Sequence, residues 1–219
     1  MIVIVKKDLV SNAHTLIVLS LAFSVSTVRN SKLNLFVLDE DSAIAAQLQC
    51  DKHIVKMIVE SAQMLSTAHR ILDGNMKRAP SKSGKTMSKH WVHPDKKLDN
   101  VLYKAVHTGH PCTVWSMQND SNYIWHWTHF KALCEEYTYR YGKIHASQTL
   151  LLDVLHQIPK NMPSGKLTKH PLAMQSNPEC INTNDIVGSY RAFYQTKQDR
   201  FKMVWSKREI PEWFKVKTL

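Results

Sequence analysis

In "CDKHIVKMIVESAQML" (residues 50–65), His53, Lys56, Glu60 and Gln63 recur at steps of three, four and three. On an α-helix that spacing stacks them on one face. With Lys52 added, the face holds two cations, a titratable ring and a carboxylate. Such a set can grip a phosphate and move protons. A solvated face with an ordinary Lys56–Glu60 pair has the same spacing. His53, Lys52, Lys56 and Glu60 are therefore the candidate catalytic residues.

Three further groups bear on chemistry. "KRAPSKSGKTMSKHWVHPDKK" (77–97) carries seven Lys or Arg against one Asp, with Pro, Gly and Ser punctuation. It reads as a mobile basic loop, in which Lys82, Lys85 and Lys89 can contact phosphates and Trp91 can stack on a base. "HTGHPC" sets His107, His110 and Cys112 within six residues, a donor set that can suggest zinc. Cys50 and His53 would be needed to complete such a site, and the spacing matches no standard zinc pattern. More often, imidazoles in such a turn bond backbone groups. The C-terminal region offers Arg191 and Lys197 near Tyr190 and Trp205, and these can hold a phosphate backbone or be surface charge. No nucleophile elbow, Walker loop, dinucleotide fingerprint or HExxH is present, and neither a cofactor nor a metal is expected.

The elements that must position these groups read as mostly α. "LNLFVLDED" (33–41) is a strand or extended lead-in, and Asp41 or Ser42 can cap a helix that runs to about Leu72. Its apolar face is Ile44, Leu48, Ile54 or Val55, Ile58, Ala62 and Leu65. "NDSNYIWHWTHFKALCEEYTYRYGK" is the strongest helix, with a stripe of Tyr123, Trp127, Phe130, Cys134, Tyr137 and Tyr141, and Gly142 ends it. A helix over 147–158, a loop over 159–178 and a helix over 185–205 complete the chain. The expectation is a compact single-domain helical fold over 33–219 with a short extended N-terminal segment and a basic loop at 77–97. Residues 1–32, with an apolar run from Leu16 to Val25, read as an appended leader, or alternatively as a signal peptide.

The chain has 219 residues, 43% of them hydrophobic, enough for a core and too many for a disordered protein. Lys and Arg outnumber Asp and Glu by 29 to 18, a net +11. That excess favours a polyanionic partner: double-stranded DNA first, RNA as an alternative, and no membrane for the mature domain. Four cysteines without a C-x-x-C pair suit reduced thiols in a cytoplasm, with a secreted or periplasmic location as the alternative.

The segments at 33–65, "GHPCTVWSMQNDSNYIWHWTHFKALCEEYTYRYGKIH" and "WSKREIPEWF" together resemble small proteins of large bacteriophages and giant viruses. Their order of parts is in turn similar to the pyrimidine-dimer DNA glycosylases of the endonuclease V type. The matching positions are Lys52-His53 and Lys56, then His110-Pro111, then "EEYTYRYG" (135–142), which contains Arg140. The resemblance implies excision of a damaged pyrimidine followed by cleavage at the abasic site. It implies an N-terminal amine as nucleophile, a supporting carboxylate on the first helix, and basic residues on the phosphates. His110, Arg140 and Arg191 join the basic-loop cations as nucleic-acid contacts. Two positions depart from the pattern: His53 stands where the family has its Glu, and 32 residues precede Leu33. A non-catalytic nucleic-acid-binding protein is the second reading, and a metal enzyme built on His107, His110 and Cys112 is the third.

Overall fold

A computed structural model describes residues 33–81 and 83–217, so the leader and Lys82 lie outside the described residues. Seven α-helices follow in order: α1 Ser42–Gln47, α2 Asp51–Leu72, α3 Lys96–Val101, α4 Pro111–Ser116, α5 Asp120–Tyr141, α6 Ala146–His156 and α7 Ile186–Gln195. Between α2 and α3, β1 (Asn75–Pro80) and β2 (Met87–Val92) form a two-stranded antiparallel sheet. The protein is mainly α with this one small sheet among the described residues. No described helix is long and apolar enough to cross a membrane.

The two long helices make the frame. Ile54, Met57, Ile58, Ala62 and Leu65 recur at helical period on α2, and all are buried. On α5, Tyr123, Phe130 and Cys134 are buried, whereas Tyr141 at the end of the stripe is exposed. Asn119 caps α5 by accepting from the Asn122 N–H, and Gly142 ends it at φ 65, where a side chain would be strained. The α5 helix packs on both α1 and α2. The segment 33–38 is neither helix nor strand, and it runs buried through the core with Leu35, Phe36, Val37 and Leu38 inward.

Three elements differ from the sequence-based expectation. The helix expected from 41 to 72 breaks at residues 48–50, and Ile44 is exposed. The break is held from outside: the Tyr194 hydroxyl accepts from the Cys50 N–H at 2.8 Å, the Val204 carbonyl accepts from the Asp51 N–H at 2.8 Å, and Trp205 Nε1–H donates to the Leu48 carbonyl at 2.8 Å. Groups that a continuous helix would use internally are satisfied by the C-terminal region. For the same reason the last helix stops at Gln195, with a 3₁₀ turn over Thr196–Asp199, rather than at Trp205. The basic stretch is a hairpin, not a loop, with Gly84 at φ 70 in its turn. The first strand is largely exposed and the second is mostly half-buried, so no clear inward-outward alternation marked them.

Candidate functional site

Asn34 lies in the buried lead-in segment that precedes α1. Its backbone N–H donates to Glu60 Oε2 at 2.9 Å. Glu60 is itself buried on α2, and its other oxygen pairs with Lys56 Nζ at 2.6 Å. The face seen in the sequence is therefore not a solvated one: His53 and Glu60 are buried and Lys56 lies at its rim. His110 comes to the same place. The Leu33 backbone bonds its ring, and its Nδ1 accepts from the Cys112 N–H at 3.2 Å, capping α4. Burial lowers the His110 pKa to about 4, with the charge of His107 adding to the effect. Thus the Glu60 carboxylate meets the Asn34 nitrogen, with Lys56 on its other oxygen and the His110 imidazole on the adjoining Leu33 backbone.

His53 continues the site outward. Its Nδ1 is 2.7 Å from the Tyr194 hydroxyl, and Phe36, Tyr194 and Phe201 enclose its ring. Burial, then the charges of Lys56, Lys197 and Arg200, lower its pKa to about 3. The ring is neutral throughout the range from pH 5.5 to 7.5 in which an unperturbed histidine would switch. Around it gather four cations. Lys52 Nζ lies 4.8 Å from the Phe201 ring and Lys197 Nζ 3.2 Å from the Phe193 ring. Burial, then Arg200, lowers Lys197 to about 8. Cations held on aromatic faces beside a partly desolvated lysine offer the positive charge that phosphate oxygens require.

Comparison with protein-family models, curated proteins and solved structures finds no match.

The remaining residues singled out from the sequence are placed elsewhere. Arg140 is not available to nucleic acid: its side chain is fully buried and bonds Glu136, Asp51 and the Gln47 carbonyl. Helix geometry explains this, because Arg140 and Glu136 are four apart on the inward side of α5. His110 likewise faces the interior as a cap rather than a surface contact. Arg191 is partly exposed but engaged, donating to the Leu38 carbonyl at 2.9 Å and lying over Trp213. His107, His110 and Cys112 do not converge as a metal-binding group; His107 is exposed, and burial pushes the Cys112 thiol up to about 12. Lys85 and Lys89 are exposed on the hairpin, and Trp91 is half-buried. Lys89, His90, Trp91 and Lys104 line a groove beside Arg70. Arg78 stands directly opposite Lys89 in the hairpin register, a like-charge pairing that disfavours the strand pair unless an anion lies over it.

Two members of the site were not singled out from the sequence. The Asn34 nitrogen is a backbone atom and leaves no compositional signal; the nearest hint was the polar Asn among apolar neighbours in "LNLFVL". Arg200 lies far along the chain, and only the packing of the 3₁₀ turn behind α7 brings it towards α2.

Proposed function

We propose that the protein excises damaged bases from DNA and cleaves at the resulting abasic site, using as nucleophile an α-amine at Asn34. One observation carries the reading: the buried Glu60 carboxylate sits 2.9 Å from the Asn34 nitrogen. Within the chain that nitrogen is an amide and is not nucleophilic. Once the peptide bond before it is cut, or if the chain starts there, it becomes a primary amine already held against a carboxylate. The arrangement is the one that the resemblance to the dimer glycosylases implies, with the carboxylate supplied by Glu60 instead of from position 53, where His53 stands.

The chemistry follows from these groups. At an abasic site, the unprotonated amine adds to the sugar aldehyde at C1′, water leaves, and an iminium forms. Glu60 takes up the proton that the amine loses and passes it to the hydroxyl that departs as water, so that it is again a carboxylate when it stabilises the iminium cation. Loss of a proton from C2′ then expels the 3′ phosphate. Lys52, Lys197 and Arg200 hold the flanking phosphates.

The test uses the full chain and a chain released from a cleavable fusion with Asn34 as its first residue. Each is mixed with a duplex bearing one abasic site, or one pyrimidine dimer, in the presence of borohydride. The Asn34-first chain is expected to cut the strand and to be trapped as a covalent adduct mapping to Asn34. Glu60→Gln keeps the shape and one acceptor, and should reduce trapping by about 10²-fold or more. An adduct mapping to a lysine, or equal trapping by the Glu60→Gln chain, removes the assigned roles. Absence of cutting on both substrates removes the enzyme reading and leaves the second one, non-catalytic binding through the hairpin, favoured by the Arg78–Lys89 pairing and the Trp91 groove.

A further inference from the structure

His69 and Asp73 stand one turn apart at the end of α2, and His93 follows β2. One donor atom from each lies within 4.8 Å of the others. All three side chains are buried: His69 is 2% exposed, and the His93 and Asp73 side chains are 3% and 6% exposed. Gly74 permits the approach, since a Cβ there would meet the Arg70 carbonyl oxygen at 2.3 Å and the Val92 carbonyl oxygen at 3.0 Å.

Hydrogen bonding sets the protons of this trio. The Tyr123 hydroxyl donates to the Leu155 carbonyl at 2.9 Å, so it accepts from His69 Nε2–H at 3.0 Å. With its proton on Nε2, the His69 ring leaves a lone pair on Nδ1, and Nδ1 makes no hydrogen bond. His93 Nε2 also has none, and the Asp73 oxygen nearest to it is 3.8 Å away, beyond hydrogen-bond reach. The Asp73 carboxylate is oriented from behind by the N–H groups of Lys160 and Asn161, each at 2.9 Å. A hydrogen-bonded cluster would have closed these gaps. Two unpartnered, buried imidazole nitrogens and an oriented carboxylate describe instead a site for a cation between them.

We infer that His69 Nδ1, His93 Nε2 and Asp73 bind a single zinc ion that ties the end of α2 to the end of the hairpin. Two imidazoles and one carboxylate suit zinc, with water as the fourth ligand. Bonds of about 2.0–2.1 Å put tetrahedral ligand atoms roughly 3.3 Å apart, so separations of up to 4.8 Å close by up to about 1.5 Å around the ion. His93 Nδ1 accepts from the Asp95 N–H at 3.1 Å, which leaves the ring proton on Nε2. On binding, that proton moves to Nδ1 and the N–H of exposed Asp95 turns to water. With its donors buried, the water position is closed off from a substrate, and the ion's role is to set the hairpin on the helix. The inference does not depend on the glycosylase reading.

Untagged full-length protein, stripped with a chelator, is titrated with zinc and separately with cobalt(II). Uptake is expected to saturate at about one ion per chain, with visible cobalt bands of a nitrogen–oxygen site and a thermal midpoint that rises with free zinc. His93→Gln and Asp73→Asn should each weaken zinc binding by at least about tenfold. No uptake by the parent, or affinity kept within about twofold in both variants, overturns the assignment. Should the variants not fold, X-ray absorption of the zinc-loaded parent decides: imidazole and oxygen neighbours are expected, and sulfur neighbours, from any of the four free cysteines, overturn it.

Discussion

Replacing Arg140 by Met keeps most of the side chain's volume and removes its charge. The guanidinium donates to Glu136 at 2.6 Å, to Asp51 at 2.9 Å and to the Gln47 carbonyl at 2.9 Å. After the change, Glu136 keeps two bonds from Arg208, and Asp51 keeps the Ser206 N–H and hydroxyl. Neither carboxylate is wholly orphaned, so the loss falls at the low end of that for a broken buried pair, roughly 3 kcal/mol. For a chain of this size that lowers the thermal midpoint by roughly 6–12 °C. Urea unfolding is the assay, with the midpoint expected to fall at constant slope. The acid limb should move as well. Burial pushes Glu136 up, but the bonds from Arg208 and Arg140 together outweigh it, so its folded pKa lies below 4.5. Its contribution is complete above that unfolded value and lost as pH falls through the lower folded one. Arg140→Met brings the folded value up, so stability is lost at a higher pH than in the parent. The folded variant should bind duplex DNA as the parent does. A loss under about 1 kcal/mol, or weaker DNA binding with full stability, would show that Arg140 acts at the surface and refute the argument.

Reversing the charge of Lys85 and Lys89 should flatten the fall of log affinity for duplex DNA with log salt by about 0.9 per lost phosphate contact, read by fluorescence anisotropy; an unchanged slope takes the hairpin out of the interface. The His53 ring should show no titration by NMR between about pH 5 and 8. Its folded pKa near 3 lies below the unfolded 6.5, so its share of stability is complete above 6.5 and is lost as pH falls towards 3; a ring titrating near neutrality contradicts the aromatic enclosure. Gly74→Ala drives a Cβ to 2.3 Å from the Arg70 carbonyl oxygen and should cost about 1–3 kcal/mol in chemical denaturation, whereas a neutral result would mean that the hairpin can shift off the helix.

The helical frame was legible because its signal is local. The period of Ile54, Ile58, Ala62 and Leu65, the aromatic stripe from Tyr123 to Cys134, and the stop at Gly142 all act within a few residues of themselves. Glu60, Lys56 and His53 were legible as neighbours for the same reason, since one helix carries them. What lay between distant segments was not. The break after Leu48 depends on Tyr194, Val204 and Trp205, more than 140 residues along the chain, and no propensity near residue 50 announces it. The hairpin hid because its strands, exposed or half-buried, need no apolar alternation. Arg140 read as a surface cation because charge in a sequence carries no sign of burial; only the arrival of Asp51 on the inner side of α5 made burying it favourable. The same holds for the site. Residue types along α2 determined that a carboxylate and cations would share a face, while the tertiary fold alone decided that the carboxylate meets the Asn34 nitrogen and that His69, Asp73 and His93 converge without a hydrogen bond to join them.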